Sequence, residues 1–197
     1  MAKNTEKKSR FVAFLRAINV GGHVVSMAKL RAQFEALGFE DVETFIASGN
    51  VVFSSPSKNA AALEKRIEDR LATALGYEVK TFLRTEAEVA AVAGYRPFTA
   101  ARRKSAGALC VGFLAQPLDQ SAVTALMALR TDNDDFHVNG REIYWICRTG
   151  QGASKFSNML FERMVKARTT FRGMNTMTRL AAKLTDASGA AERGRRS

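Results

Sequence analysis

The pattern of apolar and polar positions alternates between two periods along the chain. An apolar run over residues 11–17 is broken only by Arg16 and reads as a strand covered on both faces. Ser26 then caps a helix that carries Leu30, Phe34 and Leu37 at helical spacing and stops at Gly38. Residues 42–47 and 51–54 form two strands around the turn Ser48-Gly49-Asn50. A long helix over residues 58–75 carries Leu63, Ile67, Leu71 and Leu75, residues 77–83 form a strand, and Thr85 caps a short helix with Glu86 and Glu88 in its first turn.

The same order then returns, offset by about 96 positions: a strand at 108–114, a helix capped by Asp119, and a hairpin of strands 135–138 and 142–147 around Asn139-Gly140. A helix at 154–166, a short strand at 169–171 and a last helix at 174–185 follow. Each half reads βαββαβ plus an extra helix, the split βαβ order of a ferredoxin-like unit. The expected fold class is α+β, a tandem duplication of two ferredoxin-like βαββαβ subdomains, with one continuous mixed sheet as the alternative. The expected segments are a disordered basic arm at 1–10, repeat 1 at 11–95, a linker at 96–105, repeat 2 at 106–185, and a disordered tail at 186–197.

Composition changes this picture in two ways. The chain of 197 residues carries a net charge of +11, and the excess is uneven. Residues 11–95 hold nine basic and ten acidic side chains, whereas 96–185 hold fourteen basic and six acidic ones. A basic second half points to an anionic partner, a phosphorylated metabolite or a nucleic acid, against the plain reading of a solvated surface. No apolar run is long enough to span a membrane, and the Lys-rich start lacks the apolar core of a secretory signal, so the expected location is cytoplasmic. Cys110 and Cys147 each lie in an apolar run, which predicts buried, reduced thiols rather than a disulfide or a zinc site. His23 and His137 show no metal-ligand spacing; no metal and no cofactor is expected.

Several motifs together resemble a bacterial family catalogued as domain-of-unknown-function family 1697. They are the run Leu15-Arg16-Ala17-Ile18-Asn19-Val20-Gly21-Gly22, then Met27-Ala28-Lys29-Leu30, Gly38-Phe39 and Ser48-Gly49-Asn50-Val51-Val52-Phe53. Ser154-Lys155-Phe156 and the segment Thr169 to Thr176 fit the same family. The resemblance covers about residues 11–185 and implies a two-part α/β fold and no activity. The family more often has Lys near the position of His23, and Asn-Trp where this chain has Gly173-Met174.

The topology suggests where chemistry could sit. In a ferredoxin-like unit the loop after the first strand and the turn between the second and third lie at one sheet end. In repeat 1 these supply Arg16, Asn19, Gly21, Gly22, Ser48, Gly49 and Asn50, with backbone N–H groups and a helix start suited to an anion. The alternative is that the glycines only serve tight turns. In repeat 2 the polar loops are expected at the opposite end, with Lys155, Thr170, Arg172, Asn175 and Thr176 near helix starts. Lys155 and Arg172, cations placed against the helix dipole, suggest an anion between them. If the repeats oppose, the two clusters join in an interdomain cleft. Ser48 with His23 is the one nucleophile–base pairing the loops allow, and the Asp132, Asp134, Asp135 loop shows no calcium register. The functions left open are a small anionic or phosphorylated ligand, a nucleic acid on the basic half, and a scaffold without a ligand.

Overall fold

The structure, a computed structural model, describes residues 8–18, 24–46 and 49–194, with side chains to 187. Two four-stranded antiparallel sheets form, not one continuous sheet, and the chain divides into two compact units within one helix, at Val89. The expected boundary at 95/96 falls a few residues later.

The first sheet uses β1 (Ser9–Leu15), β2 (Glu40–Phe45), β3 (Asn50–Ser55) and β4 (Thr81–Thr85) in the order β2-β3-β1-β4. The helices are α1 (Met27–Glu35), α2 (Ala60–Leu75) and α3 (Glu86–Gly94). Ser26 and Thr85 cap helices as the sequence signals, and Asn59 adds a further cap. Ser26 Oγ accepts from Lys29 N at 3.1 Å, and Asn59 Oδ1 accepts from Ala62 N at 3.1 Å. Thr85 and Glu88 close a reciprocal capping box, Glu88 N donating to Thr85 Oγ1 at 3.2 Å and Thr85 N to Glu88 Oε2 at 2.7 Å.

Alternation along β1 sends Phe11, Ala13 and Leu15 toward the helices, where they pack with Val51, Phe53, Leu83, Leu30, Phe34, Leu63, Ile67 and Leu71. The opposite face, with Val12, Phe14, Val52 and Phe82, is buried as well. That is why the β1 run is apolar without a polar alternate.

The second sheet repeats the plan with β5 (Ala108–Phe113), β6 (Asp134–Asn139), β7 (Glu142–Cys147) and β8 (Thr170–Gly173) in the order β6-β7-β5-β8. Its helices are α4 (Ala100–Lys104), α5 (Gln120–Met127), α6 (Asn158–Val165) and α7 (Met174–Gly194). Asp119 caps α5 through Ala122 N at 2.7 Å. One face packs Cys110, Phe136, Trp145 and Cys147 with Phe156, Phe161 and Val165. On the other, Tyr95 packs on Tyr144 with ring centroids 5.0 Å apart, and its hydroxyl bonds His137 Nε2 at 2.9 Å.

Three segment expectations need correction. The basic Arg102-Arg103-Lys104 run is the short helix α4, capped by Thr99 Oγ1 on Arg102 N, rather than plain linker. The last helix does not stop at 185 but continues to Gly194, because 186–194 lack any Pro and are rich in alanine. Arg10 and Ser9 belong to β1 rather than to a disordered arm. No helix among the described residues is long and apolar enough to cross a membrane.

Candidate functional site

At one end of the first sheet, β1 finishes against the β2–β3 hairpin. Leu15 N donates to Gly49 O at 2.8 Å, and Arg16 N donates to Lys80 O at 2.8 Å. Phe45 and Asn50 are paired across the hairpin, where the buried Asn50 side chain donates to Phe45 O at 3.1 Å. The loop after β1 and the turn between β2 and β3 therefore start from the same sheet end, as the topology requires.

Three residues there lie in the left-handed region: Ala17 (φ 66°), Ile46 (φ 50°) and Gly49 (φ 71°). For a β-branched residue such as Ile46 this conformation costs about 1–3 kcal/mol and recurs at binding sites. Gly49 is required twice over, since a Cβ there would also lie 3.1 Å from Ile18 Cβ. Arg16 is half-buried beside it. Asn19, Gly21, Gly22, His23 and Ser48 lie outside the described residues, and so does the Ser48–His23 pairing.

The second expected cluster is not assembled as predicted. β7 and β8 both run antiparallel to β5, so their C-terminal ends do share one sheet end. Phe156 also packs edge-on against Phe171 at 5.6 Å, bringing the segment around Lys155 to β8. However, Arg172 is a strand residue of β8, not part of a helix-start loop. Successive strand side chains face opposite ways, so Phe171 joins the helix-side core while Arg172 turns to the other face. It is buried there, its Nη1 donating to Thr170 Oγ1 and Phe171 O, both at 2.8 Å. Burial pulls its pKa down to about 10. Lys155 is exposed and precedes Ser157, the true cap of α6, by two residues. Asn175 is exposed in the first turn of α7, and Thr176 is half-buried. Lys155 is thus exposed and Arg172 buried, so the two do not present their charges to one solvent-facing position.

Sequence reasoning missed the counterpart of Arg172. Arg84 on β4 pairs with Val12 as Arg172 pairs with Val111. Each guanidinium donates to the carbonyl of the residue before it, Arg84 Nη1 to Leu83 O at 2.8 Å. Arg84 is 1% exposed. The available signal was an Arg next to the last residue of the fourth strand in both halves.

Also missed was a polar pocket of about 360 Å³ in the second half. It is lined by Arg102, Ser105, Asp132, Asn133, Ile146 and Arg148, among others. The acidic loop beside it holds no metal-binding cluster among the described residues. Asp135 is bridged by Arg102 Nη1 at 2.8 Å and Arg130 Nε at 2.6 Å. Burial pushes its carboxyl up, but Arg102, the Phe136 N–H and Arg130 outweigh that and hold it below the usual range. Asp134 is turned inward to Trp145 and Ser154.

Both cysteines are free and buried, as expected. Burial, with a smaller contribution from nearby Cys147, pushes the Cys110 thiol up to about 11, although Gln151 Nε2 bonds its sulfur and pulls the other way. Below pH 9 both folded and unfolded chains keep this proton. Between pH 9 and 11 only the unfolded chain releases it, so stability falls across that window. Wild type is expected to lose about 2 kcal/mol more than Cys110→Ala between pH 8.5 and 10.5, measured by urea titration. Parallel pH profiles would contradict this.

Both sheets lack an open face of the kind RNA-recognition sheets use, since Val12, Phe14, Val52, Phe82, Val111, Phe113 and Tyr144 are all buried.

A model of the family described as "Protein of unknown function (DUF1697)" matches residues 9–144. That span includes the Arg16–Gly22 and Ser48–Phe53 blocks, while Ser154–Phe156 and Thr169–Thr176 fall beyond it. No curated protein matches the chain. The fold is similar to that of the conserved bacterial protein SP0830 from Streptococcus pneumoniae, with a TM-score of 0.69 and 23% identity over 91% of this chain and 99% of that one.

Proposed function

The chain belongs to the DUF1697 family, and we propose that this protein binds a small anionic ligand, such as a phosphorylated metabolite, at the sheet end where β1 meets the β2–β3 hairpin. One observation carries the reading: left-handed Ala17, Ile46 and Gly49 gather where the two Gly-containing loops leave the sheet. Strained non-glycine backbone persists only where its surroundings over-determine it, and binding loops are a common reason. Arg16 supplies positive charge at the same place, and Asn19, Gly21, Gly22 and Ser48 are the proposed partners from the loops.

The proposed site draws its side chains from the first half alone, and the buried Arg172 of the second half is already held by Thr170 Oγ1 and Phe171 O. The basic second half contributes long-range attraction for an anion instead.

The test is a thermal-shift panel of inorganic phosphate, nucleoside monophosphates and sugar phosphates on the full chain. A ligand at a hundred times its Kd stabilises by about 2.7 kcal/mol, which is about 5–10 °C for a chain of this size. That shift is expected in wild type and Arg172→Lys and lost in Arg16→Ala. A panel that leaves wild type unmoved, or a shift that survives in Arg16→Ala, overturns the reading.

A further inference from the structure

The pocket of the second half has a property that the acidic loop alone would not produce: its charges are nearly all engaged, except for one of each sign. Asp135 is held by Arg102 and Arg130. Asp134 accepts from Trp145 Nε1 and Ser154 Oγ, both at 2.8 Å. The guanidinium of Arg148 has only a long bond to the Asp132 carbonyl, 3.4 Å from Nη1, and no carboxylate partner among the described residues. The Asp132 carboxylate has no hydrogen-bond or ion-pair partner among them either. Both residues thus line the same pocket, the Arg148 guanidinium reaching the Asp132 backbone but not its carboxylate.

The wall that carries them is fixed before any ligand arrives. Arg148 N donates to Asn133 O at 2.9 Å, and Thr149 N and Oγ1 donate to Asn133 Oδ1 at 3.0 and 2.8 Å. Thr131 Oγ1 accepts from Asn133 N at 3.1 Å and from Asp134 N at 2.9 Å. These bonds tie the 131–134 loop to the end of β7, so little order remains to be imposed on binding. The volume, about 360 Å³, lies at the small end of ligand pockets.

We propose that this pocket is a second binding site that takes a small zwitterion, its carboxylate or phosphate on Arg148 and its primary ammonium on Asp132. A simple anion would meet Arg148 but face the Asp132 carboxylate, and a simple cation the reverse. Only a molecule bearing both charges a few bonds apart satisfies both groups at once, and the two contacts act as linked events with a raised effective concentration. Ser105 and Asn133, which also line the pocket, offer neutral hydrogen-bonding groups beside the charged pair.

Isothermal titration calorimetry on the full chain tests this, with phosphoethanolamine as the zwitterion and inorganic phosphate and ethylammonium as its separate halves. Phosphoethanolamine is expected to bind at least tenfold more tightly than either half. Arg148→Gln and Asp132→Asn are each expected to remove that advantage, with circular dichroism unchanged because both side chains are exposed. Arg16→Ala is expected to leave it intact, which separates this site from the one proposed in the first half. Absence of phosphoethanolamine heat, equal affinity for inorganic phosphate, or undiminished binding in both pocket variants would overturn the proposal.

Discussion

Asp134→Ala is expected to lower the stability of the protein by about 3 kcal/mol, a drop in melting temperature of about 10 °C. The carboxylate is 4% exposed and satisfies four donors: Trp145 Nε1 and Ser154 Oγ on Oδ1, and Thr131 Oγ1 and Asn133 Nδ2 on Oδ2, the latter two at 3.3 and 3.2 Å. Truncation leaves the buried indole N–H without an acceptor, and an unsatisfied buried donor costs its full desolvation, about 1–3 kcal/mol. The loss of the other three bonds to the charged acceptor, from Ser154, Thr131 and Asn133, adds to this. Asp134→Asn keeps one acceptor oxygen and should cost about half as much. The single tryptophan of the chain is Trp145, so its emission reports the change directly. An unfolding free energy from urea titration within about 0.5 kcal/mol of wild type would show that this hub is dispensable.

The second large effect is expected at Gly107. A Cβ there would lie 2.5 Å from Gly150 N and 2.8 Å from both Arg148 O and Thr149 C. All three are backbone atoms, so no side chain can swing aside. The same residue's N–H donates to Arg148 O at 2.9 Å just before β5 and β7 pair at Ala108 and Cys147. Gly107→Ala must therefore push the 148–150 segment away and weaken that bond, at a cost of about 2–4 kcal/mol from overpacking and the lost hydrogen bond. Gly152→Ala is the control: a Cβ there meets nothing within 4 Å, and its effect should stay within about 0.5 kcal/mol. Equal melting temperatures for the two variants would sink the argument. Since Arg148 lines the polar pocket, Gly107→Ala should also weaken phosphoethanolamine binding there.

The local rules were legible wherever one short stretch decides the outcome. Ser26, Thr85 and Asp119 cap helices because a hydroxyl or carboxyl at that position meets orphan N–H groups within three residues. Asn139-Gly140 turns a hairpin because few residues accept its backbone. The unbroken apolar run of β1 announces a strand buried on both sides. The doubled order of elements followed from these local readings, and with it the shared sheet end of the β1 loop and the β2–β3 turn.

What local pattern could not supply was the direction and company of individual side chains. Arg172 looked like a loop cation because the strand before it seemed to end at Phe171. The real strand runs two residues further, and parity then sends the guanidinium into a buried face. Lys155 looked like a helix-start cation because the helical pattern reads from 154, but Ser154 Oγ is drawn to Asp134, twenty positions away, and Ser157 caps α6, which begins at Asn158.

By itself, then, the sequence determined the element order, the duplication, the caps and the meeting of two glycine-bearing loops at one end of the first sheet, since each depends on neighbours a few residues apart. Only the tertiary structure decided that Arg84 and Arg172 are buried equivalents, that Asp134 is spent on Trp145 and Ser154, and that Asp132 and Arg148 are left facing one pocket. Those outcomes depend on hydrogen bonds and strand parity between segments far apart in the chain, and a hydrophobic period carries no record of which donor a distant acceptor will meet.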